Sequence, residues 1–303
     1  MLGRFGKALT AFDSVLERTL AYCFGLGWFH GPRLLVSLLA ARLRRLPYVM
    51  VRVPTVRSRI GLRPCSSDVA VFTQTFARRE YDMATMRQAQ DAGWLNPEES
   101  RYVVVIDCGA NIGLSTVWFA TQFPFAKLVA IEPQADNYRV LCANLTGYDA
   151  ECLQAGVWNE NTSLAIANPD ASLHAFRVID ATQAEASVET GSISGVTLNE
   201  IVSRYPGRRF LVKVDIEGAE AMLFKDNLEW LDVTDLLIVE IHDWLMPWEG
   251  TSRNVLRAIV AHQFEVQWRG ENMFCFRTTP MQRRTAGVGG RVLETGNFSA
   301  NAL

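Results

Sequence analysis

The stretch from Val103 to Gly113, Val-Val-Val-Ile-Asp-Cys-Gly-Ala-Asn-Ile-Gly, narrows the folds open to this chain more than any other. Residues 103–106 are a continuous β-branched run, the pattern of a strand buried on both faces, and Gly109 and Gly113 follow as turn chemistry. Glycine lets a backbone turn sharply and approach a ligand where a Cβ would clash. A helical pattern over 114–122 follows, and a second apolar run, Leu128 to Ile131, ends in Glu132. Strand, glycine turn, helix, strand and acid in that order lay out a nucleotide-binding βαβ unit, with the acid placed to hold ribose hydroxyls.

The glycine pattern argues against a dinucleotide. The G-x-G-x-x-G fingerprint needs a glycine where this chain has Asn111, and its third position falls at Thr116. Asn111 obstructs the close approach of a pyrophosphate, and Asp107, just before the turn, repels one. Both suit a cationic cofactor without phosphate, S-adenosylmethionine, whose amino end Asp107 is expected to face. An NAD(P)-dependent oxidoreductase is the alternative.

Strand and helix patterns alternate from residue 103 onward. The spacing predicts strands at 103–107, 127–131, 209–214 and 235–241, and helices at 114–122, 134–145, 197–204 and 251–261. A third strand and a hairpin near Ser163–Ile166 and His174–Val178 fill the polar region 150–195, and a short helix starts at Ala219. Alternating βα units imply a parallel sheet with helices on both faces. Strands at 263–268 and 272–277 are separated by only Arg269, Gly270 and Glu271, too few for a crossover, so they pair antiparallel. The expected fold is α/β and Rossmann-like, a seven-stranded mostly parallel sheet with one antiparallel strand. Upstream, Val69, Phe72 and Phe76 have the spacing of one inward helix face. Residues 1–60 read as a basic helical extension, 61–279 as the catalytic domain and 280–303 as a disordered tail.

In open α/β sheets the ligand lies outside the carboxyl ends of the strands. Asp107, Glu132, Asp215 with Glu217, and Glu240 with His242 and Asp243 all fall at such ends. Crowded carboxylates cost free energy and are tolerated at sites. Asp215, Glu217 and His242 are therefore the candidate catalytic residues, with Asp215 or His242 as base and Asp243 placed to orient the histidine ring. The acids and His242 could instead hold a divalent ion, but their spacing is no recognised metal motif and no metal ligand is assigned. Trp244, Met246 and Trp248 could shape an apolar acceptor pocket.

Three segments together, Ile106–Gly113, Ile131-Glu-Pro with Asn137, and Lys213-Val-Asp-Ile-Glu-Gly-Ala-Glu220, resemble the FkbM family of S-adenosylmethionine-dependent methyltransferases. The likeness extends upstream to Arg63-Pro64, Asp68, Phe72 and Glu80-Tyr81, and covers roughly residues 60–277. It implies O-methylation of a hydroxyl on a sugar, polyketide or related metabolite, so the expected partner is a small-molecule or glycan acceptor. It also implies that Gly109, Asn111 and Gly113 form the loop under the cofactor, that Glu132 takes the ribose hydroxyls, and that Asn137 supports that turn. Gly156 to Trp158 are candidates to bracket the adenine.

Charge is unevenly distributed. The net charge is −2, yet residues 1–63 carry eleven basic residues against two acids, +9, which leaves −11 for the rest. The basic head could dock on an anionic membrane surface, or its arginines could pack as an ordinary extension. Nucleic acid is not the expected partner of so acidic a body, which lacks a basic aromatic platform. Two apolar stretches, 22–29 and 34–41, are each shorter than the roughly 20 residues a span requires. The six scattered cysteines form no C-x-x-C pair, which points to reduced thiols. The localisation these features lead one to expect is cytoplasmic, with peripheral contact at a membrane face. A non-catalytic binding module that keeps the fold is the remaining alternative.

Overall fold

The computed structural model describes residues 17–166, 178–180 and 193–278. Seven strands form one sheet: β3 (Val103–Cys108), β4 (Lys127–Ile131), β5 (Ala150–Leu153), β10 (Arg209–Val214), β11 (Thr234–Glu240), β12 (Phe264–Arg269) and β13 (Asn272–Arg277). Their order across the sheet is β12-β13-β11-β10-β3-β4-β5. Strand β13 inserts antiparallel between β11 and β12, while the pairs from β11 to β5 are parallel. The link, shortened to Gly270 and Glu271 because Arg269 pairs with Asn272, closes a hairpin, and β13 is the one reversed strand.

Strand β3 lies inside the sheet between β10 and β4, and every one of its side chains is buried. Val103 and Val105 join the core on one face, and Val104, Ile106 and Cys108 join the core on the other. Burying such a side chain contributes about 1.5–3 kcal/mol, so the period of two in β3 stabilises both layers at once. One layer holds α5 (Leu114–Gln122) and α6 (Ala135–Asn144); the other holds α7 (Leu198–Ser203), α9 (Glu229–Val233) and α10 (Ser252–Ala261).

Between the strand at Gly156–Val157 (β6) and β10, a smaller sheet is built from β6, β7 (Ser163–Ile166), β8 (Val178–Asp180) and β9 (Ile193–Val196). β7 and β8 pair antiparallel. The expected hairpin arm at 174–177 lies outside the described residues, as do the tail 280–303 and residues 1–16.

The N-terminal segment contributes to the main core. A helix over 17–26 (α1) precedes α2 (His30–Leu43), and Tyr22, Leu26 and Leu38 pack in the same cluster as Val105 and Phe119. A short hairpin of β1 (Val49–Val51) and β2 (Ile60–Leu62) leads to α3 (Asp68–Phe72), which widens into a π-helix at Thr73–Ala77. The Thr73 carbonyl accepts from Arg78 N, five residues on. Phe72 and Phe76 are buried with ring centroids 5.1 Å apart, while Val69 is only half-buried. The extra residue of the π-turn breaks the single helix that the i, i+3, i+7 spacing predicts. Among the described residues no helix is long and apolar enough to cross a membrane.

Candidate active site

Loops at the carboxyl ends of β3, β4, β10 and β11 enclose a cavity of about 310 Å³. Gly109, Asn111, Glu132, Asn137, Asp215, Glu217 and His242 all line it, so the fold gathers seven of the nine candidate residues. Asp107 and Gly113 stand behind its wall.

The β3 loop is tight for a steric reason. Gly109 adopts φ +74°, and a Cβ there would lie 1.8 Å from the Asp215 carbonyl oxygen. Only glycine lets the β3 and β10 loops approach so closely. Gly113, at φ +84°, begins α5, and its missing Cβ makes room for Leu141 rather than for a ligand.

Glu132 organises the first half of the site. Its Oε2 accepts from the Asn111 backbone N at 2.8 Å, and its Oε1 accepts from Gln134 N at 3.0 Å and Asn137 Nδ2 at 3.3 Å. Burial pushes the carboxyl up to about 7, against the lowering effect of those three hydrogen bonds. Asn137 Oδ1 in turn accepts from Arg63 at 2.7 Å, and Arg63 makes a two-point pair with the buried Asp68 at 2.9 Å. A chain of polar contacts thus runs from the lead-in segment to the acid of β4.

Asp107 lies beneath the β3 loop. Its Oδ2 accepts the Ser115 and Thr116 hydroxyls, each at 2.6 Å, and its Oδ1 lies 3.2 Å from Lys213 Nζ. It is wholly buried and braces the loop from beneath. A buried carboxylate takes the nearest donors, and two hydroxyls one turn along α5 plus a lysine meet that need.

Lys213 carries no assigned role in the sequence reading. Buried in β10, it also lies 3.2 Å from Asp215 Oδ2 and donates to the Gly109 carbonyl at 3.3 Å. Burial alone would lower its pKa, but Asp107 and Asp215 raise it well above the usual lysine value. A lysine inside the apolar strand Phe-Leu-Val-Lys-Val was the available signal, since a buried cation demands anionic partners.

The second half of the site is acidic. His242 Nδ1 is 2.9 Å from Glu220 Oε1, while Nε2 lies 3.6 Å from Asp215, 3.7 Å from Glu217 and 3.6 Å from Glu240. Burial works against protonation of the ring, but the Glu220 hydrogen bond and the surrounding carboxylates carry its pKa up to about 9. Burial, then the Asp215 charge, pushes Glu217 up to about 7 and Glu240 up to about 8. Glu220, not Asp243, orients the ring: Asp243 accepts from Thr251 and Ser252 at the start of α10. Asp215, Glu240 and His242 each present one donor atom within 4.8 Å of the others, a spacing able to hold a cation.

Ala155, Gly156 and Val157 line the cavity, whereas Trp158 is buried against Leu164 and Ala219. Trp244 and Leu245 form part of the wall; Met246 packs beneath Gly218, and Trp248 is fully exposed. The hydrogen-bond partners Arg63, Asp68 and Glu220 escape spacing arguments because their contacts join distant segments; only the likeness upstream of residue 100 marked the first two.

The chain is 26% identical over 161 residues to Methyltransferase 1 of Beauveria bassiana, covering 46% of this chain and 64% of that protein. It is 32% identical over 91 residues to Methyltransferase sdnD of Sordaria araneosa, covering 29% and 30% respectively. The chain therefore spans less than two thirds of either relative's length. Among solved structures, a methyltransferase from Geobacter sulfurreducens matches with a TM-score of 0.35 at 14% identity, over 80% of this chain and 97% of that one. The methyltransferase FkbM domain matches residues 107–266, more than half of the chain, from the buried Asp107 through the acid cluster to β12, and the chain belongs to that family.

Proposed function

We propose that this methyltransferase moves the methyl group of S-adenosylmethionine to a hydroxyl of a small-molecule or glycan acceptor. The observation that carries the reading is the two-sided cavity, with the Gly109–Asn111 loop and Glu132 on one side and Glu217 among its acidic neighbours on the other. The residues fit the cofactor. A carboxylate offers about four acceptor positions, and protein donors occupy three on Glu132, leaving capacity for a ribose hydroxyl. Asn111 Oδ1 is buried without a hydrogen-bond partner, an acceptor suited to a cofactor donor. Gly156 and Val157 offer a flat wall for an adenine.

When bound, the cofactor supplies a methyl group on a positively charged sulfonium leaving group. The protein then has to align the acceptor and remove its proton. Glu217 is the base we assign: at about 7 its pKa matches neutral pH, and it lines the cavity. Asp215, hydrogen-bonded to Lys213, holds the loop in place. His242, with a pKa of about 9, is protonated at neutral pH and binds the surrounding carboxylates together. Trp244 and Leu245 give the acceptor an apolar contact and help exclude water. A second reading follows from the spacing of Asp215, Glu240 and His242: a divalent cation, in place of the Nε2 proton, that orients the acceptor hydroxyl. Transfer activity that survives chelation unchanged eliminates it.

Calorimetry with S-adenosylmethionine on the wild type and on Glu132→Ala tests the assignment. Roughly micromolar binding that weakens about 10- to 100-fold in the variant is expected for loss of a charged acceptor. A folded wild type that binds no S-adenosylmethionine would sink the reading.

A further inference from the structure

The helix α2 has an unusual exterior. Leu38 and Ala41, with Gly31, form its buried side. Val36, Leu39 and Leu43 lie on the opposite side at i, i+3 and i+7, and are 64%, 51% and 85% exposed. A surface helix normally turns charged residues outward, and this one is apolar on both faces. Just before it, Phe24 and Trp28 stack edge to face at 5.6 Å, and both stand in solvent beside Phe29. Exposed large apolar side chains gathered on and beside one helix mark an interaction surface.

The charge around it names the occupant. From Arg18 through Ser67 the chain contains nine arginines and no acid. Arg33, Arg42, Arg44 and Arg45 lie on or directly beside α2, and all are exposed. We infer that α1 and α2 dock on an anionic lipid bilayer, with α2 lying in the interfacial plane. Its 14 residues span about 21 Å, too short to cross the hydrocarbon core and suited to lying along it. Tryptophan and phenylalanine favour the headgroup level, and the arginine stems can reach phosphates while packing on apolar surface. A second copy of this face would set arginines against arginines. A polyanion without acyl chains would leave Trp28, Phe29 and Leu43 in water.

The experiment is co-sedimentation of the full chain with vesicles of phosphatidylcholine alone and with 30% phosphatidylglycerol (roughly the anionic fraction at which such attraction operates). The wild type should pellet with the anionic vesicles and remain largely in solution with the neutral ones. Replacing Arg33, Arg42, Arg44 and Arg45 by Gln should lower the partition coefficient about 100-fold or more. Replacing Trp28, Phe29, Val36 and Leu43 by Ser should lower it about 10-fold or more, with the melting temperature held within about 2 °C because these side chains are exposed. A wild type that ignores anionic vesicles overturns the inference, as does a serine variant that binds as well as wild type. Concentration-dependent dimerisation abolished by the serine changes, without vesicle binding, would assign the face to a second copy instead and equally overturn it. Vesicle binding needs no cofactor, so failure here is distinct from failure of the methyl-transfer reading.

Discussion

The two halves of the cavity are built on opposite electrostatic plans. On the β3–β4 side, Glu132 is surrounded by donors, one of which, Asn137, leads back through Arg63 to Asp68. On the β10–β11 side, Asp215, Glu217 and Glu240 crowd one imidazole, and their mutual repulsion is offset by His242 and Lys213. The first half is ordered before any ligand arrives. The second holds protons whose location a ligand can change, which is what proton transfer requires.

Gly109→Ala should break both halves at once, because the new Cβ meets the Asp215 carbonyl at the junction of the two loops. Cofactor binding is expected to fall below detection, with a stability loss of about 3 kcal/mol or more; wild-type affinity in calorimetry would contradict the close approach. Glu217→Gln should separate the halves, lowering kcat by roughly 10²- to 10⁴-fold while the cofactor Kd stays near wild type. An equal loss in both parameters would mean that Glu217 supports binding instead of proton removal. Asp68→Asn tests the reach of the polar chain: it frees Arg63 and should weaken the cofactor about 3- to 10-fold through Glu132, near the lower end for a group acting through another.

The smallest effect is a pH dependence of stability. Glu132, Glu217 and Glu240 bind protons more tightly when folded than when unfolded, at about 7, 7 and 8 against an ordinary 4.5. Their protonated forms favour the fold, and that contribution is lost as pH rises from about 4.5 toward 8. His242 acts in the same direction: its charged form, held to about 9, contributes fully below 6.5 and is lost above 9. The ligand-free protein should therefore melt several degrees lower at pH 8.5 than at pH 5.5, and Glu240→Gln should flatten the slope. A melting temperature that rises over that interval would contradict the crowding.

Much of the fold was legible because its signals are local. The β-branched run of β3, the period of two between its faces and the short β12–β13 link each settle a feature without reference to distant residues. Glu132 and Gly109 were legible for the same reason, since strand, turn and acid follow one another in the chain. What escaped depends on contacts across long sequence separations. Asp107 and Lys213 are brought together by the parallel register of β3 with β10, and Glu220 reaches His242 from another loop. A π-turn at Thr73–Ala77 leaves no apolar period to read. Family membership in turn retires the nicotinamide-dependent alternative that the glycine spacing alone left standing.

The sign of the cavity has a consequence for turnover. Six carboxylates line it, from Glu80, Glu132, Asp215, Glu217, Glu240 and Glu271, against the cations Lys213 and His242. On the proposed chemistry, transfer removes one positive charge from the bound cofactor, whose sulfonium becomes a neutral thioether. The acidic wall that favours the incoming cofactor loses its main attraction for the spent one. Departure of the product is thereby built into the same residues that prepare the reaction, and product inhibition should grow stronger as those carboxylates are neutralised one by one.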